Sequence, residues 1–161
     1  MSPRALLIVI VGLAAVIEDL GWRRVSNWTS GGAVAAGLVL HYLQKGWAGA
    51  GHSLLGAVIG FAVFLVFYLL GGMGGGDVKL MAGFGALLGD SQILPAALLA
   101  AASGGVMALG YLAVRGVSRR SRIWLGIAVP EPPSSEAKNS ESIPYAPAIT
   151  AGAWLALVSE M

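Results

Sequence analysis

Cysteine is absent from the 161 residues, which excludes disulfides, thiolate metal sites and a cysteine nucleophile together. Charge is also scarce. Asp, Glu, Lys and Arg make up 11% of the chain and hydrophobic residues 57%, whereas a soluble domain carries roughly 25% charge. A chain so short of charge cannot cover its own surface against water, so its solvent is a bilayer. There are only two histidines, His41 and His52, in separate apolar runs without an acidic cluster. No metal site and no cofactor is expected from them, and the serines have no histidine placed to serve as a base.

What is present is a series of apolar runs at about 5–20, 29–44, 53–71, 78–89, 92–114 and 143–159, separated by short polar or glycine-rich joints. At about 20 residues per crossing, these runs predict an all-α, polytopic membrane protein of about six transmembrane helices. The N-terminal run has no small-residue exit of the A-x-A type and is read as a retained first helix. The fourth run is short for a crossing, but charge argues that it crosses. With six crossings, Arg23, Arg24, Lys79, Arg115, Arg119, Arg120, Arg122 and Lys138 share one side, which the positive-inside rule makes cytoplasmic. Both termini then lie on the opposite side. Residues 1–161 read as a single transmembrane domain. It is interrupted by a mobile cytoplasmic loop at about 116–142, which is rich in Arg, Pro, Ser and Glu and cannot bury apolar area. The arginines of that stretch suit anionic lipid, and no nucleic-acid partner is expected.

Against this background two carboxylates stand out. Ile17-Glu18-Asp19 closes the first run, and Gly71-Gly72-Met73-Gly74-Gly75-Gly76 leads into Asp77-Val78-Lys79 at the start of the fourth. Six crossings place Asp19 and Asp77 on the same cytoplasmic edge. Acids kept at a membrane boundary usually serve chemistry or transport. Two carboxylates in contact share a proton, so one acts as acid while the other deprotonates water, as aspartyl peptide hydrolysis requires. Gly74, Gly75 and Gly76 supply a backbone free to take positive φ and open to close approach by an extended substrate strand. The plainer readings are an N-cap role for Asp77 and helix-capping roles for Asn27, Thr29 and Ser30. Lys79 is either an inner-edge anchor or a partner that tunes Asp77 and holds substrate. Gly56 and Gly60, and Gly85 and Gly89, have the spacing of close helix packing.

Gly74-Gly75-Gly76-Asp77-Val78-Lys79-Leu80 resembles the G-x-G-D-x-K-L element of the type IV prepilin peptidases, membrane aspartyl proteases. Asp19 through Asn27 and Trp28 is similar to the family's first element, with Ser26 where proline is usual. Ile143-Pro144-Tyr145-Ala146-Pro147 resembles the segment opening the last helix of short members. The resemblance spans nearly the whole chain and prefers Asp19 over Glu18 by its distance to Asn27. It implies an aspartic endopeptidase with Asp19 and Asp77 as catalytic pair and Gly74, Gly76, Lys79 and Asn27 in support. The implied reaction removes the short basic leader of prepilins or pseudopilins at the cytoplasmic face of the cell membrane. The long members add a cysteine-bearing N-methylation region. The likeness here is to the short forms of tight-adherence pili, with cleavage and no methylation. Two other classes compete: a small proton or ion carrier, which predicts acids at mid-membrane depth, and a non-catalytic assembly protein, which tolerates asparagine at both positions.

Overall fold

The computed structural model describes residues 2–22, 24–71, 73–124 and 145–158, and these form five helices and no strand. Helix α1 runs Pro3–Trp22, α2 Asn27–Leu69, α3 Gly75–Leu88, α4 Asp90–Trp124 and α5 Ala146–Val158. Local chemistry sets the boundaries. Ser2 Oγ accepts the Ala5 N–H at 3.2 Å, and Pro3 follows it at a first-turn position where a missing N–H is harmless. Ser26, in extended conformation, accepts the Trp28 N–H at 3.2 Å and caps α2. The capping roles expected of Asn27, Thr29 and Ser30 therefore fall to Ser26 instead. Gly89, at φ 79°, ends α3.

The second and third apolar runs share α2, which is broken at Gly46 (φ 61°, ψ −145°) into arms 27–45 and 47–69. The arms fold onto opposite sides of α3. Ser30, Ala33 and Gly37 of the first arm meet Gly83 and Ala86, so that arm runs parallel to α3. Ser53, Gly56 and Gly60 of the second meet Ala86, Gly85 and Met81 in reverse order, so it runs antiparallel. Helix α3 is consequently buried on nearly all faces and forms the centre of the core with Leu80, Met81, Phe84, Leu87 and Leu88. Gly56 and Gly85 let two backbones touch: a Cβ on either would fall on the other's carbonyl.

Helices α1 and α5 pair antiparallel, with Ile8 beside Trp154 and Gly12 beside Thr150, and α5 pairs antiparallel with α4 through Gly152 and Ala100. This alternation gathers the end of α1 and the starts of α2, α3 and α5 at one end of the bundle. Arg4, Gly46, Gly89 and Asp90 gather at the other. Helices α1 and α2 are long and apolar enough to cross a membrane, and α5 is a shorter apolar helix. Leu6, Ile10, Leu13, Leu54, Val58 and Leu98 point outward along the bundle. Trp28 is 89% exposed near one end and Trp47 83% exposed near the other, a placement suited to the two interfaces of a bilayer. Residues 116–124, expected in a loop, continue α4, and the rest of that stretch to 142 lies outside the described residues.

The shortness of the fourth run has a structural answer. Fourteen residues give α3 a length of about 21 Å, well under a hydrocarbon layer of roughly 30 Å. Its last carbonyls would be stranded there, and each meets a side chain from another helix. Ser53 Oγ donates to Ala86 O at 2.8 Å, His41 Nε2 lies 3.1 Å from Leu87 O and Arg4 donates to Leu88 O at 2.9 Å. His41 and Arg4 thus close a helix end. Ser53→Ala should destabilise the protein by about 1–3 kcal/mol, read as a lower melting temperature in detergent, because the buried Ala86 carbonyl loses this donor.

Candidate active site

Asp19 lies in the last turn of α1 and is 8% exposed. One of its oxygens accepts the N–H of Ala146, the first residue of α5, at 3.1 Å. That bond depends on α5 starting at Ala146, just after Tyr145. Asp77 lies in the first turn of α3 and is also 8% exposed. Its Oδ2 accepts the Gly74 N–H at 3.2 Å. The cap itself is Gly74, so Asp77 is the third helical residue reaching back rather than the N-cap residue.

Asp77 precedes the apolar run 78–89 and sits at the edge of the bundle. Burial pushes its carboxyl up from the usual 3.8 to about 6; the Gly74 N–H pulls the other way, and the charge of Asp19 adds to the rise. The two carboxylates, remote in sequence, therefore feel each other at the same end of the fold. Neither is at mid-depth of its helix.

Lys79 and Asn27 also meet: the ammonium donates to Asn27 Oδ1 at 2.9 Å, tying the first turn of α3 to the first turn of α2 on an exposed face. The glycines behave differently from expectation. Gly74 is extended with φ −82°, and Gly75 and Gly76 already belong to α3, so none of the three takes positive φ; Gly71 does, at 75°. Their use is spatial. A Cβ on Gly76 would sit 3.5 Å from Val25 Cβ, and one on Gly74 would sit 3.5 Å from Asp77 Oδ2, both ordinary contacts that a larger side chain would overfill.

Glu18, the neighbour of Asp19, is turned towards the start of α2. Both its oxygens are engaged, accepting the Ser26 N–H at 2.7 Å and the Thr29 hydroxyl at 2.6 Å. His52 pairs with Asp90 at 3.0 Å at the opposite end, on an exposed surface. Among the described residues no group of three or more His, Asp or Glu side chains could hold a metal ion.

Beside the carboxylates an apolar cleft of about 150 Å³ opens between the second arm of α2, α4 and α5, walled by Phe64, Phe67, Met73, Gly104 and Tyr145. Met73 adjoins the Gly74 that binds Asp77, and Tyr145 adjoins the Ala146 that binds Asp19. Sequence reasoning missed this cleft, because its walls come from four separate segments whose aromatic and small residues read only as helix packing.

The sequence model of the type IV leader peptidase family matches residues 6–109, a span that contains Asp19, Asn27, the glycine run, Asp77 and Lys79. No curated protein and no solved structure matches the chain.

Proposed function

The chain belongs to the type IV leader peptidase family, and from that premise we propose that it is a multi-pass aspartic endopeptidase that cuts the basic leader from prepilins or pseudopilins at the cytoplasmic face of the cell membrane. The observation that carries this reading is the burial of Asp19 and Asp77 at one end of the bundle, where burial raises the Asp77 carboxyl and the charge of Asp19 adds to the rise.

The mechanism follows from that asymmetry. Asp19, as carboxylate, takes a proton from water while the water oxygen attacks the scissile carbonyl carbon. Asp77, protonated, gives its proton to the carbonyl oxygen, forming a tetrahedral diol. Collapse of the diol breaks the C–N bond, and the proton held on Asp19 passes to the leaving nitrogen. A hydroxyl proton returns to Asp77, which restores the starting pair. Gly74 leaves room beside Asp77 for the substrate backbone to approach, Gly76 admits Val25 beside the same turn, and the adjoining cleft suits apolar substrate residues.

Six crossings remain the reading that fits the alternation of helices, with the two arms of α2 counted separately and α3 as a short span closed by its side-chain caps. The outward apolar surface faces lipid. The proposal covers cleavage alone.

Co-expression of a cognate prepilin with wild type, Asp19→Asn or Asp77→Asn tests it. Wild type should convert the prepilin to the shorter mature form on a gel, and each variant should leave it uncut. Processing by either variant at the wild-type level would refute the dyad.

A further inference from the structure

Direct packing between the two aspartate-bearing helices is sparse, because α1 rests mainly on α5 whereas α3 rests mainly on α2. Something else must set how far apart Asp19 and Asp77 stand. The segment 24–29, which joins α1 to α2, is fastened to both aspartate-bearing helices. On the α1 side, Glu18, next to Asp19, holds the Ser26 N–H and the Thr29 hydroxyl with separate oxygens. On the α3 side, Asn27 accepts from Lys79, two residues past Asp77, and Val25 packs where Gly76 leaves space.

We propose that Glu18 is a positioning residue: with Asn27 it turns residues 24–29 into a strap that fixes the spacing of Asp19 and Asp77. This rests on the aspartyl reading above. Glu18 needs no contact with substrate for this role. It acts through α2, and its carboxylate is matched to the task because it accepts two hydrogen bonds at once from one turn. Glutamine has a single acceptor oxygen, so it keeps at most one of these acceptor roles, replaces the other by a neutral N–H···O contact to the Thr29 hydroxyl and loses the charge that strengthens both. The charged side chains that the structure describes at this end are Glu18, Asp19, Arg24, Asp77 and Lys79.

The test uses the full-length protein in detergent with a synthetic prepilin segment spanning the leader junction. Glu18→Gln and Thr29→Val should each lower kcat about tenfold with KM within about twofold, as expected when reacting groups are misplaced and binding is intact. They should also shift the alkaline limb of the pH–rate profile to lower pH, since a more distant Asp19 raises Asp77 less. That shift is independent of how much protein is folded. Thr29→Ser keeps the hydroxyl and should restore wild-type kcat and profile. The Glu18→Gln/Thr29→Val pair should be little worse than either single change. If Asp19→Asn or Asp77→Asn still cleaves, the dyad and the strap fall together. If both are dead while Glu18→Gln and Thr29→Val keep the wild-type kcat and alkaline limb, the strap alone is refuted.

Discussion

Asp77→Asn should abolish leader cleavage and at the same time raise the melting temperature at pH 7.5. The loss of activity should reach at least about 10³-fold, because the variant has no proton to deliver to the scissile carbonyl oxygen. The gain in stability follows from linkage. Asp77 titrates at about 6 in the folded protein against 3.8 ordinarily, so the folded state holds a proton that the unfolded chain releases. Stability is therefore lost as pH rises from about 4 through 6, and above that window the buried charge costs on the order of 2–3 kcal/mol. Asparagine keeps an oxygen for the Gly74 N–H and carries no such charge. The stabilisation should shrink to about a third of this at pH 4.5, where folded Asp77 is neutral but the unfolded chain is still largely ionised, and vanish below about pH 3.8. Thermal melts at the two pH values, run beside a cleavage assay, check both halves.

The second large effect concerns folding. Gly85→Ala and Gly56→Ala should each destabilise the protein by about 3 kcal/mol or more, read as loss of folded material from detergent extracts. The added Cβ of Gly85 would meet the Gly56 carbonyl group, with its carbon at 2.7 Å, and Ala57 Cα at 3.1 Å. Those are backbone atoms of a packed helix, which no rotamer change can move aside. Gly76→Ala provides the contrast. Its Cβ finds Val25 at 3.5 Å, an ordinary contact, so folded yield should be near wild type, whereas Gly76→Val crowds Val25 and the approach to Asp77 and should suppress cleavage. Comparable losses from Gly76→Ala and Gly85→Ala would contradict this account of the helix contacts.

The helical class and the prominence of Asp19 and Asp77 were legible because both rest on one-dimensional signals. Apolar runs of helical length mark the elements, and a carboxylate next to a glycine run at the edge of such a run stands out wherever charge is rare. Charge also argued that the short fourth run crosses, but not how a helix of that length ends. The answer lies in Arg4, His41 and Ser53, which come from three segments and carry no local pattern that points to Leu88, Leu87 and Ala86. The glycine run illustrates the reverse limit. Composition announces flexibility there, whereas tertiary packing draws Gly75 and Gly76 into a helix and leaves positive φ at Gly71. Glu18 could be read only as a rival to its neighbour. Its partners at Ser26 and Thr29 become visible once the chain has turned back beside α1.

The claim on which the rest depends is that Asp19 and Asp77 titrate as a pair. Carboxyl ¹³C NMR of selectively labelled aspartate, titrated in wild type and in Asp19→Asn, reads this directly. The Asp77 signal should move with a midpoint near 6 in wild type and at a lower pH once the Asp19 charge is gone, with the part of the rise that burial causes remaining. An Asp77 midpoint in the ordinary carboxylate range, or one that does not move when Asp19 is replaced, would contradict the pairing.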